Sequence, residues 1–349
     1  MVIQAKTPLR VVQWATGNVG LRSLRAIIEH PAMELAGVYV HSPAKAGQDA
    51  GTLYGTTPAG ILATTDKQAL IALKPDCVLY MPPDCDYAEI AEILRAGSNI
   101  VTTKGEFQNP ESMDPAIRAQ IEAACREGQT SIHSAGSSPG FITDAIPLVL
   151  STMQRRLDCI TIDEFADISS RDSPEMLFDI MGFGRAPSAE AASRRAAGMV
   201  HSRRRSFDLL ANAFGLPLDS IESGIEFGLA KNRTQIAAGI IEPGTVAGQR
   251  ITVAGMRNGK PLLRFRANWY VTTDMDVDWK LMHSGWRILV EGDTPLDVSI
   301  TFPVSLEDYP LMSPGLTAHP AVNAVPGTCA AAPGICTSLD LPLVAPVFG

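Results

Sequence analysis

The chain has 349 residues, 46% hydrophobic and 19% charged, which suits two domains of ordinary size and is too apolar for a disordered chain. Its formal net charge of -8 excludes the general basic footprint of a nucleic-acid binder or of a protein held on an anionic membrane. No apolar run reaches the roughly 20 residues of a membrane span, and the N-terminus MVIQAKTPLRVVQWATG lacks the apolar core and cleavage site of a signal peptide.

The predicted elements begin with LRVVQWA (9–15), a buried strand, followed by a helix on which Leu21, Leu24 and Ile28 recur and which His30 and Pro31 close. LAGVYV (35–40) and DCVLYMP (76–82) read as strands, and YAEIAEILRAG (87–97) as a helix ending at Gly97. NIVTT (99–103) is a strand, a helix runs from about Pro115 to Glu127, and TSIHSAG (130–136) is the last strand of this half. Strand and helix in alternation argue for a parallel sheet wound with helices over residues 1–147.

The rhythm changes near residue 150. RRLDCITIDEFADIS (155–169) holds a longer strand, PEMLFDIMGFG (174–184) a short helix or turn, and residues 188–214 a helix. GIEFGLAK, RTQIAAGIIE, QRITVAGMR, PLLRFRANWYVT and WRILVEG then read as consecutive strands, with Asn258-Gly259 as a hairpin turn. The expectation for 148–310 is an α+β domain with a mostly antiparallel meander. Residues 311–349, rich in Ala, Pro and Gly, are expected to pack back on the first domain.

Between the first strand and first helix stands WATGNVG (14–20). A turn there with Gly17 for close backbone approach, Gly20 for tight helix–sheet packing and a helix N-terminus for an anion is the dinucleotide fingerprint of a Rossmann domain, with Ala15 replacing its first glycine. Thr16, Gly17, Asn18, Val19 and Gly20 are the candidate phosphate loop. The second strand ends on His41 and Ser42 with Lys45 nearby, and the first acid is Asp49. An acid on the ribose hydroxyl is thus lacking where NAD selectivity would put one, which favours NADP(H) with NAD(H) tolerated.

Met81 and Pro82 open MPPD, Thr103 ends its strand, and Ser137 and Ser138 lie in SAGSSPGF, where a plain turn competes with a hydrogen bond to a carboxamide. Glu106, in TTKGEFQNP, admits two readings: a proton-handling carboxylate at a nicotinamide, or a structural salt bridge to Lys104. The basic residues Arg194, Arg195 and Arg203–Arg205 read as a solvated helix face or a dimer rim, since no aromatics interleave with them. Six scattered cysteines without a CxxC pair suit a reduced cytoplasm and give neither a disulfide framework nor a metal site.

WATGNVG, TTKGEFQNP, SAGSSPGF, EFADISSRDSPEMLFDIMGFG and HPAVNAVPGTCAAAPGI together resemble the 2,4-diaminopentanoate dehydrogenase family, nearest its native amine dehydrogenases, whose N-terminal domain is similar to that of dihydrodipicolinate reductase. The resemblance implies a Rossmann domain, a second α+β domain, a homodimer, and NAD(P)H-dependent reductive amination of a small carbonyl with ammonia, reversible as amine deamination. By motif it implies that Glu106 is the catalytic glutamate, Gly17–Gly20 the phosphate loop and Phe141 an aromatic of the substrate cavity. Asp167, Ser169 and Met176 would face that cavity. The paired histidines of the diacid reductases have no match, because His133 is isolated and His201 opens an Arg run. The competing readings are a diaminopentanoate-type or other NAD(P) reductase, a semialdehyde dehydrogenase working through Cys85, a non-catalytic NADP(H) sensor, and a scaffold using the basic run.

Overall fold

The computed structural model describes residues 7–348. Residues 1–6, on which the reading of no signal peptide partly rests, lie outside that range.

The first strand, β1 (Leu9–Trp14), turns Val11 to one side of its sheet and Val12 and Trp14 to the other, all fully buried. This two-sided burial is why the run is apolar without alternation. In α1 (Asn18–Ile28), Leu24 and Ile27 join the core with Val11, while Leu21 and Ile28 sit at its rim. Then come β2 (Met33–Tyr39), α2 (Ala50–Tyr54), β3 (Ala63–Thr64), α3 (Lys67–Ala72), β4 (Cys77–Tyr80), α4 (Tyr87–Arg95), β5 (Asn99–Thr102), α5 (Pro115–Gly128) and β6 (Ser131–Ser134). Asp49, Asp66, Asp86 and Asp114 cap α2 to α5 by accepting backbone N–H groups of the first turn.

The middle of the chain begins with α6 (Ile146–Ser151), β7 (Leu157–Asp167) and a helical turn at Glu175–Ile180. A long helix, α7 (Ala189–Ala213), starts at the Ser188 cap and precedes β8 (Ser220–Leu229), β9 (Thr234–Ile236), β10 (Gly239–Ile241) and β11 (Val246–Arg257). β12 (Lys260–Tyr270), β13 (Gly285–Gly292) and β14 (Leu296–Thr301) complete a six-stranded sheet in the order β14-β13-β7-β12-β11-β8. Its pairs are antiparallel except β7 with β12. It is therefore not a simple meander: β7 lies between β12 and β13, while RTQIAAGIIE folds as the separate two-stranded pair β9–β10. Asn258 and Gly259 both take positive φ between β11 and β12, as a two-residue hairpin turn requires.

Last come α8 (Tyr309–Ala330) and β15 (Gly334–Cys336). Three prolines, Pro314, Pro320 and Pro326, lie inside α8. Each removes a helical hydrogen bond, and packing outweighs them: Ala321, Val322, Ala324 and Val325 are buried in the core shared with Val11 and Leu24. β15 pairs in parallel with β6, Ser131 opposite Gly334. The parallel sheet then reads β15-β6-β5-β4-β1-β2-β3. The chain thus divides into two compact units, one ending at Ala145 and resuming at Pro310, the other spanning Ile146–Tyr309. Among the described residues no helix is long and apolar enough to cross a membrane, and no three His, Cys, Asp or Glu residues gather as metal ligands.

Candidate active site

In the parallel sheet β1 pairs with β2 on one side and β4 on the other. The strand order reverses there, and that switch point is where wound sheets hold ligands, at the carboxyl ends of their strands. The loops at that edge are tied strand to strand: Ala15 N–H donates to Tyr39 O (3.0 Å), Met81 N–H to Trp14 O (3.0 Å) and Ala135 N–H to Thr102 O (2.8 Å).

At the phosphate loop, Ala15 has φ 76°, the left-handed backbone that the glycine it replaces would adopt without strain. Gln13, fully buried, secures the turn by donating from Nε2 to Ala15 O (2.8 Å) and accepting from Ser23 Oγ at Oε1 (2.6 Å). Gly17 stands at the N-cap of α1 with no side chain bonded to the first turn, in contrast to the four aspartate-capped helices α2 to α5. A Cβ on Gly17 would meet nothing within 4 Å, so backbone N–H groups at the helix start are open to an approaching anion. These residues fit the pyrophosphate of a dinucleotide.

Lys45 reaches back from the β2 loop to this turn, donating from Nζ to Thr16 O (2.9 Å) and Thr16 Oγ1 (3.3 Å). His41 and Ser42 are exposed beside it, and the Tyr39 hydroxyl lies 3.4 Å from His41 Nδ1. Asp49 is already committed: it accepts N–H groups of Gly51, Thr52, Ala59 and Gly60. These bonds, that of Ala59 foremost, hold its carboxyl below the usual range. Asp49 is therefore committed to bonds within its own loop.

Met81 and Pro82 are buried beyond β4, and Thr103 is half-buried beyond β5. Glu106 sits next, on a tight turn at Gly105–Phe107. Phe107 anchors that turn in the core beside Trp14 and Tyr80. Gln108 anchors its other end, donating from Nε2 to both oxygens of buried Asp144 (2.6 and 2.7 Å). Asp144 also accepts from Thr143 Oγ1 (3.0 Å) and Ser338 Oγ (3.3 Å). Lys104 donates to the Pro83 carbonyl, and no Lys104–Glu106 ion pair forms among the described residues. Glu106 is half-buried, and its neighbours hold the turn without consuming its carboxylate.

In the loop after β6, the Ser138–Pro139 bond is cis and Gly140 has φ 120°. Gly140 N–H donates to Thr143 Oγ1 (3.0 Å) and Phe141 N–H to Gly136 O (2.8 Å). Ser137 Oγ lies 3.0 Å from Thr317 Oγ1 of α8, a helix contact that the sequence did not reveal. Phe141 remains 39% exposed, although it is a large aromatic.

Asp167, Ser169 and Met176 belong to the other unit. Asp167 Oδ1 accepts from Ser169 N–H (3.0 Å), and Asp167 N–H donates to Ser284 Oγ (3.1 Å). Ser169 O accepts from Ala237 N–H (3.0 Å), and Met176 is 36% exposed on the 175–180 turn. Asp167 and Ser169 thus sit together at the end of β7, and Met176 lies on the helical turn that follows. His133 is a core residue of β6, its Nδ1 2.9 Å from Cys336 O, with burial lowering its pKa. Burial also raises the Cys125 thiol to about 12 and the Cys336 thiol to about 11, which leaves neither as a thiolate nucleophile.

The model of the 2,4-diaminopentanoate dehydrogenase C-terminal domain family matches residues 141–349. An amine dehydrogenase of Streptomyces virginiae is 29% identical over 347 residues, 96% of each chain. A 4-hydroxy-tetrahydrodipicolinate reductase of Rhodopseudomonas palustris is 28% identical over 200 residues, 56% of this chain and 68% of that one. Among solved structures, an amine dehydrogenase from Mycobacterium smegmatis superposes with a TM-score of 0.73 at 20% identity, covering 98% of both chains, and shares the two-part fold.

Proposed function

We propose, from the premise that the chain belongs to the 2,4-diaminopentanoate dehydrogenase C-terminal domain family, that this oxidoreductase reductively aminates small uncharged ketones and aldehydes with ammonia and deaminates the corresponding amines in reverse. The observation that carries the reading is the pairing of two features on one sheet edge. One is an open helix N-terminus behind Gly17; the other is Glu106, fixed by Phe107 and Gln108. The full-length likeness to an amine dehydrogenase supports it.

A nicotinamide bound along this edge supplies the hydride. The chain's own groups do the rest. Backbone N–H groups of Asn18, Val19 and Gly20 hold the pyrophosphate. Glu106 takes a proton from ammonium, so that neutral ammonia can attack the carbonyl carbon. It returns that proton to the departing hydroxyl of the carbinolamine, and, ionised again, steadies the cationic carbon–nitrogen species that forms as water leaves, an electrostatic role that a half-buried carboxylate performs better than a solvated one. Carbonyl, ammonium and reduced cofactor give amine, water and oxidised cofactor. Lys45 beside Thr16, with Asp49 fully occupied, favours NADP(H) over NAD(H). The six free cysteines suit a reducing cytoplasm.

The test is NADPH oxidation with ammonia against short ketones and aldehydes, each with an ammonia-free control. Glu106→Ala should keep NADPH binding and lose about 10²- to 10⁴-fold in turnover. Wild-type turnover in that variant overturns the assignment, and binding without turnover by the native chain favours the non-catalytic sensor.

A further inference from the structure

A cavity of about 420 Å³ lies within the Ile146–Tyr309 unit, walled by Phe178, Phe227 and Val246 and by three arginines. Two of the arginines have carboxylate partners: Arg185 pairs with Asp179, and Arg194 with Glu190. The third is not. Arg195 has no carboxylate in ion-pair range among the described residues, although it is only half-exposed.

The chain holds Arg195 from behind. Its Nη1 donates to Met181 O (2.5 Å) and to Gln249 Oε1 (2.6 Å). Gln249 is itself fully buried and is locked by its own bond from Nε2 to Met181 O (2.6 Å). Gly182 makes the room: its φ is 76°, and a Cβ there would come within 2.8 Å of Arg195 Nη2. Both hydrogens of Nη1 are thus used, which leaves the Nε–Nη2 edge, the fork that matches the two oxygens of a carboxylate. Burial, and then the neighbouring charge of Arg194, lower the arginine's pKa, a cost that an anion would relieve.

We propose that this cavity binds a small organic monocarboxylate, its oxygens on the Nε–Nη2 edge of Arg195 and its apolar part against Phe178, Phe227 and Val246. One uncompensated positive charge favours a monoanion over a phosphate dianion. The volume suits a compact ligand. This ligand is separate from the substrate, which is uncharged in the reading above.

The test uses the full chain and fluorine NMR titration with 4-fluorobenzoate and its neutral counterpart, 4-fluorobenzamide. Wild type should bind the acid about tenfold more tightly than the amide, the size of one charge-assisted pair. Arg195→Ala should erase that preference, and Arg195→Lys should retain part of it. Equal affinity for acid and amide overturns the proposal, as does undiminished acid binding by a folded Arg195→Ala chain. If Arg195→Ala does not fold, the acid–amide comparison on wild type still decides. Absence of turnover with every carbonyl would count against the amination reading alone, because the titration does not depend on it.

Discussion

The carbonyl oxygen of Ala15 stands 2.2 Å from the point a Cβ on Gly20 would occupy. The obstacle is backbone, held by the Ala15 N–H bond to Tyr39 O and by Gln13, so no side-chain rotation relieves it. Gly20→Ala must shift the start of α1, at a cost of about 1–3 kcal/mol. A lowered denaturation midpoint is expected, together with NADPH affinity weaker by about tenfold or more in a fluorescence titration. Wild-type values in both measurements would refute this account of the turn.

Ala15 itself points the other way. A left-handed alanine costs about 1–2 kcal/mol, whereas the extra chain freedom of glycine in the unfolded state costs about 0.4–1 kcal/mol. Ala15→Gly should therefore fall between no change and a gain of about 1.6 kcal/mol in urea unfolding at constant slope. A clear loss of stability would show that the alanine methyl makes a contact worth more than its strain.

Asp49 gives a pH signature. Its folded pKa is depressed by backbone N–H donors, Ala59 first. Its contribution to stability is complete above the unfolded value of about 3.9 and is lost as pH falls through the lower folded value. Asp49→Asn places an amide where Gly60 N–H needs an acceptor, or loses the other three bonds if it flips. The melting-temperature gap between wild type and variant should be widest near neutrality and close on acidification. A gap that widens in acid contradicts this.

Lys45 touches the phosphate loop through Thr16. Lys45→Ala should weaken NADPH binding by roughly tenfold, the size of one lost charge-assisted bond, and NADH binding by clearly less. An equal loss for both cofactors would assign Lys45 to holding the loop rather than to recognising the 2′-phosphate.

How far the sequence carries depends on how local each signal is. The strand, turn and helix around Gly17 and Gly20 are contiguous, and their spacing displays them. Gln13 is not legible in this way: within an apolar strand it looks like an interruption, because its partners Ala15 O and Ser23 Oγ are set only once α1 packs on β1. A Lys104–Glu106 pair looked plausible because the residues are two apart, yet the turn at Gly105 separates them and Lys104 finds Pro83. The prolines of α8 are helix breakers by any local rule, and only the buried Ala and Val face explains why the helix survives. β15 and β3, at three and two residues, are too short for any periodicity to show. Arg195 read as part of a solvated basic face, since nothing nearby in sequence shows Gly182 and Gln249 meeting it.

Ser131 and Gly334 are neighbours across a strand pair, yet about two hundred positions separate them along the polypeptide. The whole Ile146–Tyr309 body is translated before the final strand of the nucleotide-type sheet. Closing so distant a pair is slow, because chain entropy is spent before any contact returns it. The centrally encoded body is therefore complete as a chain while β6 still lacks its partner. Until Gly334–Cys336 is made, β6 is a bare edge open to pairing with another chain.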